Sequence, residues 1–93
     1  MPYKVRLHRE AVKTLERMSP QLRARVIRGL RALEANPYES RAGADMVRLR
    51  GTKGRKDLFR LRIGDYRVIY AVEAGSVYVT DIFHRGKGYQ QLA

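Results

Sequence analysis

The segment 58–70 constrains the fold of this chain most strongly, because it predicts two β-strands joined by a tight turn. Apolar and polar residues alternate on both sides of Gly64-Asp65, as in strands with one buried face. A two-residue loop of type II′ needs positive φ at its first central position, where this segment has glycine. The resulting β-hairpin pairs Ile63 with Tyr66, Arg62 with Arg67, and Leu61 with Val68.

The two faces of this hairpin have opposite chemistry. One face collects the apolar and aromatic side chains of Phe59, Leu61, Ile63, Tyr66, Val68 and Tyr70. The other face collects Arg60, Arg62 and Arg67, beside Leu58, Ile69 and Ala71. Arg62 directly opposite Arg67 is a like-charge pair that costs stability. A fold tolerates such a pair most easily where an anion binds, so we expect an anion site on this face.

The length and composition predict a single domain over residues 1–93. The chain has no run of about 18 apolar residues for a membrane span, and its first ten residues lack the apolar stretch of a signal peptide. We therefore expect a cytoplasmic protein without membrane contacts. Cysteine is absent, and two histidines are too few for a typical metal site, so we expect neither a metal nor a cofactor.

The charge of the chain indicates a polyanionic partner. Twenty Lys and Arg against nine Asp and Glu give a net charge of +11, and 15 of the 20 cations are arginine. The excess is spread along the chain, with ten cations in residues 1–45 and ten in residues 46–93. Without a basic amphipathic anchor, nucleic acid is favoured over an anionic membrane surface. Genome composition or a hot habitat also produces arginine-rich surfaces, so charge alone leaves the substrate open.

The rest of the chain predicts an α+β fold. A strand over residues 3–8 precedes a helix over 11–18, and Ser19-Pro20 is a typical start for a second helix that ends near Asn36-Pro37. Further strands are predicted over 46–50 and 76–84. The two N-terminal helices are expected to pack on the apolar face of a mainly antiparallel sheet of four to five strands. Arg25, Arg28 and Arg31 recur on the outer side of the second helix, either as phosphate contacts or as a solvated face.

Several familiar catalytic patterns are absent. Residues 51–56 contain glycines and lysines without the spacing of a P-loop, and no carboxylate pair for general acid–base catalysis stands out. Asp81 alternates with Val77, Val79 and Phe83 and is predicted to lie on the buried face. We expect it to pair there with an arginine.

The basic and aromatic residues that remain suit metal-free cleavage of RNA. This reaction needs an aligned 2′-hydroxyl, charge stabilisation on the phosphorane, a proton acceptor and a proton donor. Arginine stabilises the charge by bidentate contact but is a poor base, because its guanidinium stays protonated. The candidate residues are Arg60, Arg62, Arg67, His84, Arg85 and Tyr89, with the loop cations Arg50, Lys53, Arg55 and Lys56.

At these residues the sequence resembles the RelE/ParE superfamily of bacterial and archaeal toxins, and the RelE branch in particular. The resemblance spans nearly the whole chain. Its motifs are 48–51 (RLRG), 58–62 (LFRLR) leading into 64–70 (GDYRVIY), and His84-Arg85 followed by Tyr89. The Gly-Asp-Tyr-Arg core is typical of the superfamily, and the terminal His-Arg with a later Tyr favours a ribonuclease over the branches that poison DNA gyrase.

The resemblance implies a type II toxin–antitoxin toxin with a RelE-like fold. Such a toxin is a metal-independent endoribonuclease, or mRNA interferase, that enters the A site of the 70S ribosome, cuts the messenger there and leaves a 2′,3′-cyclic phosphate. The same resemblance implies a RelB-like acidic antitoxin, disordered in part, and an oligomeric toxin–antitoxin complex.

The family's functional residues carry over position by position. Arg67 matches the arginine that stabilises the transition-state phosphate, Arg85 the proposed leaving-group acid, and Tyr89 the tyrosine that stacks on or orients the substrate. Arg60 and Leu58 stand where the best-known members have lysines, and the first of those lysines is the proposed base. His84, Lys53 and Lys56 are substitutes for the base, and positioning by the ribosome is a further possibility. Arg50, Lys53, Arg55, Lys56 and Arg62 are predicted to contact RNA or the ribosome.

Other interpretations stay open at this point. A relative that inhibits gyrase without enzymatic activity and a small basic RNA-binding protein both fit the charge. Arg67 also has a structural interpretation, in which it pairs with Asp81 across the sheet. Strict alternation sends Arg85 to the face opposite Arg67, so the two converge only if the strand ends or bulges near His84. Tyr89 has a structural alternative too, in which it packs the C-terminus onto the body of the protein.

Overall fold

A computed structural model describes residues 2–39, 45–49 and 58–86 of the chain. In chain order its elements are β1 (Lys4–Leu7), α1 (Arg9–Glu16), α2 (Pro20–Ala35), β2 (Asp45–Leu49), β3 (Leu58–Ile63), β4 (Tyr66–Glu73) and β5 (Ser76–His84). This order confirms the predicted fold class: two N-terminal helices pack on a five-stranded, mostly antiparallel sheet. Neither helix in the described part of the chain is long and apolar enough to cross a membrane.

The sheet has the strand order β1-β5-β4-β3-β2, so β4 is its central strand. Strands β2 to β5 form an antiparallel meander, whereas β1 joins β5 in parallel. The predicted hairpin register is confirmed for all three pairs, including Arg62 opposite Arg67. Gly64 has a φ of 58°, the left-handed conformation that the predicted turn requires.

Both helices begin at side-chain caps. The Ser19 hydroxyl accepts a hydrogen bond from the backbone N–H of Leu22, and Pro20 occupies the first turn of α2 as predicted. At the start of α1, Nδ1 of His8 accepts from the backbone N–H of Glu10. Local sequence therefore sets where each helix begins.

Arg23 joins the two helices. Its Nε donates to the carbonyl of Leu15 at 2.9 Å, and its Nη2 donates to the carbonyls of Glu16 at 3.2 Å and Met18 at 3.1 Å. These carbonyls lie at the C-terminal end of α1, where the helix leaves acceptors without partners of its own. A charged donor at this end is also favoured by the helix dipole.

We expect Arg23→Ala to lower the free energy of unfolding by about 1.5–3 kcal/mol, because it removes a charged donor from three carbonyls. Urea unfolding followed by circular dichroism measures this change. Arg28→Ala is the matched control, since Arg28 is exposed on the same helix, and its effect should stay within about 0.5 kcal/mol. Equal effects of the two substitutions would show that the Arg23 contacts do not stabilise the helix pair.

The helices cover one face of the sheet and form the core with it. The buried core consists of Ala11, Leu15, Met18, Val26, Leu30 and Leu33 from the helical segment, and Phe59, Leu61, Ile63, Val68, Tyr70, Val77, Val79 and Ile82 from the sheet. Gly29 lets α2 approach the sheet closely, because a methyl group there would overlap the end of the Ile63 side chain. The apolar face of the hairpin is thus the packing surface that the sequence predicts.

A β-bulge in β5 changes which residues share a face. Tyr70 pairs with Val79, but Ile69 pairs with Asp81, so Thr80 is an extra residue between the two pairs. The prediction that Asp81 and Phe83 share the helix-packed face with Val79 is therefore wrong, although Phe83 is buried. One inserted residue reverses the alternation, and residues 81 and 83 share the face of Ile69 and Arg67.

Candidate nucleic-acid interface

The sheet face opposite the helices, here called the outer face, is organised in rows of directly paired residues. The row nearest the Gly64 turn contains Asp45, Arg62, Arg67 and Phe83. The next row contains Val47, Arg60, Ile69 and Asp81. A third row contains Leu49, Leu58, Ala71, Tyr78 and, on β1, Arg6. Arg62, Arg67 and Arg60 therefore lie in the two rows nearest the turn, and the third row is mostly apolar apart from Arg6 at its β1 end.

Arg67 lies at the centre of the first row and is buried. Only 8% of the residue is exposed, so it differs from the open arginine that the sequence predicts. Its Nη1 donates to the carbonyls of Gly64 at 3.2 Å and Tyr66 at 3.1 Å, which turns the guanidinium toward the hairpin tip. Its Nε is buried and has no hydrogen-bond partner among the described residues. A buried cation with an unused donor is costly unless an anion binds it.

The structural interpretation of Arg67 is wrong for the described part of the chain. Asp81 lies opposite Ile69, one row away, and makes no ion pair with Arg67 or with any other described arginine. The prediction that Asp81 pairs with an arginine is wrong for the same reason. The bulge places Asp81 half-buried on the outer face, where its carboxylate is not forced to find a cation.

The two arginines beside Arg67 each have a carboxylate. Nη2 of Arg62 lies 2.8 Å from Oδ2 of Asp45, its partner across the strands. Nε of Arg85 lies 3.9 Å from Oδ1 of Asp65 in the turn. All four side chains are more than half exposed, so solvent screens both pairs and each adds little stability. An arriving phosphate can therefore compete for both arginines.

Arg67 and Arg85 lie on the same side of the sheet. β5 ends at His84, and the backbone N–H of Arg85 donates to the carbonyl of Asp65 at 2.8 Å, one step beyond the last strand pair. Because the bulge at Thr80 reverses the alternation, residue 85 follows Phe83 onto the face of Arg67. Arg67 and Arg85 thus meet the condition for a shared site. The bulge that the condition needs lies at Thr80, four residues before His84.

His84 lies on the other face of the sheet end. It pairs with Tyr66, and the two rings meet edge to face with centroids 5.5 Å apart. Its Nδ1 accepts from the backbone N–H of Gly86 at 3.3 Å. His84 therefore does not face Arg67, and its Nδ1 is already engaged by the backbone. This geometry does not favour His84 as a general base.

The other predicted site residues divide into two groups. Arg60 is half-buried in the second row, diagonal to Arg67, and Leu58 follows in the third row. Arg50, Lys53, Arg55, Lys56 and Tyr89 lie outside the described residues. Among the residues that are described, no cluster of three or more His, Asp or Glu side chains is arranged to hold a metal ion.

Sequence reasoning missed three residues of this end of the outer face, namely Phe83 beside Arg67, Asp65 beside Arg85 and Asp45 beside Arg62. Phe83 is hidden from it by the bulge, which has no evident local signal. Asp65 was assigned only to the turn, and its contact with Arg85 depends on how the chain leaves β5. Asp45 was within reach of the sequence, because extending the alternation of the hairpin to the preceding strand places it beside Arg62.

Comparison with known proteins identifies the family. Residues 5–89 match the family model of the ParE toxin of the type II toxin–antitoxin system parDE. The chain belongs to the RelE/ParE toxin superfamily. It is therefore a toxin of the type II toxin–antitoxin class, although this family model does not by itself separate nuclease branches from gyrase-directed ones. No curated protein matches the sequence.

Solved structures place the toxin nearer to the RelE branch. The RelE–RelB complex of Pyrococcus horikoshii OT3 is 34% identical, covers 94% of this chain and 99% of that chain, and has a TM-score of 0.80. The RelBE2 toxin–antitoxin complex of Mycobacterium tuberculosis is 25% identical, covers 91% and 100%, and has a TM-score of 0.72. The intact E. coli RelBE complex, 17% identical with coverage of 88% and 95% and a TM-score of 0.65, shares the fold. These similarities favour a RelE-like toxin.

Proposed function

We propose that this toxin is a ribosome-dependent endoribonuclease that cuts messenger RNA in the A site by attack of the 2′-hydroxyl. The observation that carries the proposal is Arg67, a buried cation with no carboxylate among the described residues and an unused Nε. A phosphate at the exposed edge of this guanidinium would supply the anion that the described residues do not. The 34% identical RelE of P. horikoshii supports the nuclease branch.

The reaction assigns separate tasks to the arginines. The 2′-oxygen forms a bond to phosphorus and loses its proton, the bond from phosphorus to the 5′-oxygen breaks, and that oxygen takes a proton. Arg67 stabilises the charge that develops on the phosphorane. Arg85 lies on the same face and serves the leaving oxygen. Arg60, one row away, contributes charge, since a guanidinium does not act as a base.

The proton acceptor explains why the ribosome is required. Among the described residues of the outer face, the carboxylate diagonal to Arg67 is that of Asp81, which is half-buried, and His84 lies on the opposite face. Alignment of the 2′-hydroxyl with its own phosphate lowers the barrier without a strong base. We propose that the ribosome holds the messenger in that geometry, with Tyr89, Lys53 and Lys56 as the remaining predicted substrate contacts. Naked messenger should then be a poor substrate.

The proposed partners follow from charge and family. A chain with a net charge of +11 favours an acidic neutralising protein. The structures from P. horikoshii and M. tuberculosis are complexes of toxin with antitoxin. We therefore propose a RelB-like acidic antitoxin, an oligomeric complex and a cytoplasmic location, where ribosomes are found. Arg50, Arg55 and Arg62 are proposed contacts to ribosomal RNA or messenger.

One alternative has a specific observation in its favour: the matching family model is that of a ParE toxin. A ParE-like inhibitor of DNA gyrase would protect or trap gyrase complexes without cutting RNA. The test incubates the toxin with programmed ribosomes, with free messenger and, separately, with gyrase and plasmid. We expect cuts at the A-site codon with 2′,3′-cyclic ends on ribosomes only. Inhibited supercoiling without cuts would replace the proposal by the gyrase alternative, and binding without either effect by a simple RNA-binding protein.

Asp45→Asn should strengthen ribosome binding. The substitution keeps the shape of the side chain but removes the carboxylate that holds Arg62 at 2.8 Å. An unpaired Arg62 is free for a phosphate, so we expect affinity to rise about 2- to 5-fold and the salt dependence to steepen. Equilibrium binding at several salt concentrations measures both. Glu10→Gln is the matched control, because it removes the same charge from a loose pair with Lys13 at 4.0 Å on α1. Equal gains in affinity for both variants would show that net charge, and not the release of Arg62, causes the effect.

A further inference from the structure

Helix α2 carries an arginine stripe, formed by Arg25, Arg28 and Arg31, on the side away from the core. All three residues are exposed, whereas Val26, Leu30 and Leu33 are buried on the opposite side. α2 contains four arginines and one glutamate, but α1 is balanced, with Arg9 and Lys13 against Glu10 and Glu16. The positive charge of the helical layer is therefore concentrated on α2.

The stripe is not compensated by the protein. None of its three arginines makes a hydrogen bond or an ion pair within the described residues. Arg23 on the same helix is different, since it is held by three backbone carbonyls. Arg62 and Arg85 also differ, because each faces a carboxylate. The stripe thus presents free guanidinium groups over two turns of helix.

The stripe is continuous with the outer face. The guanidinium of Arg25 lies against the hairpin turn, with Nη1 only 3.1 Å from the position that a Cβ on Gly64 would take. The carbonyl of the same Gly64 accepts a hydrogen bond from Arg67. One turn therefore has the catalytic candidate on one side and the first arginine of the stripe on the other. The basic surface runs round the sheet end from Arg67 to α2.

We propose that the α2 arginine stripe binds the phosphate backbone of double-stranded RNA in the ribosome while the outer face engages the messenger. This inference rests on the proposed function. Three exposed guanidinium groups on a helix face have no pocket for a base, so they recognise phosphates without reading sequence. Duplex RNA is recognised mainly through its shape, phosphates and 2′-hydroxyls, which suits such a surface. The stripe therefore supplies affinity and orientation, not chemistry.

The test compares two double variants with the same loss of charge. Arg28→Gln with Arg31→Gln removes two stripe charges but spares Arg25, which touches the hairpin turn. Arg9→Gln with Arg17→Gln removes two exposed charges at α1.

Binding to programmed ribosomes is measured at several salt concentrations, with single-turnover cutting at saturation and circular dichroism as a check of folding. We expect the stripe variant to bind at least about 10-fold more weakly, with a salt slope lower by about 1–2, and to cut normally once bound. The α1 variant should stay within about 3-fold of wild type.

The outcomes separate this inference from the proposed function. Equal losses in the two doubles would overturn the stripe and leave the nuclease assignment intact. If wild type makes no cut but binds ribosomes more tightly than the stripe variant does, the nuclease proposal is overturned and the stripe proposal is supported. A stripe variant that binds ribosomes normally but loses affinity for a purified acidic antitoxin would overturn RNA as the occupant of this surface.

Discussion

Arg67→Ala is expected to slow single-turnover cleavage of ribosome-bound messenger on the order of 10²-fold or more while ribosome binding stays within a few-fold of wild type. The reason is that Arg67 is preorganised for charge that develops in the transition state. Its Nη1 is fixed by two backbone carbonyls, and its buried Nε has no partner among the described residues. Loss of one preorganised donor typically costs 10²–10³-fold in rate (~3–4 kcal/mol).

Two further variants sharpen this prediction. Arg67→Lys keeps a charge but loses the planar fork, so we expect a large loss of rate here too. Arg62→Ala is the matched control. Arg62 is paired directly with Arg67 across the strands, but it is exposed and already bound to a carboxylate. Its effect should fall on binding and salt dependence. Full-rate cutting by saturating Arg67→Ala would place the reaction elsewhere.

Tyr70→Ala is expected to lower the free energy of unfolding by about 3–5 kcal/mol. Tyr70 is fully buried on the central strand, its ring stacks on Phe59 with centroids 5.5 Å apart, and its hydroxyl donates to the carbonyl of Pro37 at 2.6 Å. Alanine removes the packing and leaves a buried carbonyl without this donor. Urea unfolding measures the loss.

Tyr70→Phe separates the two contributions of this residue. Phenylalanine keeps the ring contact with Phe59 and removes the hydroxyl that donates to the carbonyl of Pro37. We expect a loss of about 1–2 kcal/mol, the cost of an unsatisfied buried acceptor. If the alanine and phenylalanine variants were equally unstable, the packing of Tyr70 would not be what holds the segment after α2 against the sheet.

The parts of the fold that depend on local sequence were predictable. Gly64 fixes the turn, the alternation fixes the register of β3 with β4, and Ser19-Pro20 fixes the start of α2. The parallel pairing of β1 with β5 is different, because it depends on where both helices pack and leaves no mark on residues 4–7. Local patterns thus predicted the helices, the strands and the central hairpin. Tertiary packing decided which strand β1 pairs with at the edge of the sheet.

The candidate site was predictable only in part, and the bulge explains much of the difference. A single extra residue, Thr80, moves Asp81 and Phe83 from the predicted buried face to the outer face and brings residue 85 to the side of Arg67. Strict alternation cannot anticipate an inserted residue. The burial of Arg67 was also unforeseen, because it depends on neighbours from both adjacent strands and on the carbonyls of the turn.

The most direct test removes one oxygen atom from the messenger, the proposed nucleophile. Programmed ribosomes carry either an all-ribose message or one with a single 2′-deoxynucleotide on the 5′ side of the scissile phosphate, with toxin in excess over ribosomes. We expect rapid cutting of the first message and no cut at that position in the second, with equal binding of the toxin to both. Cutting of the deoxy-substituted message at the same bond and rate would contradict attack by the 2′-hydroxyl, and with it the nuclease mechanism assigned to Arg67.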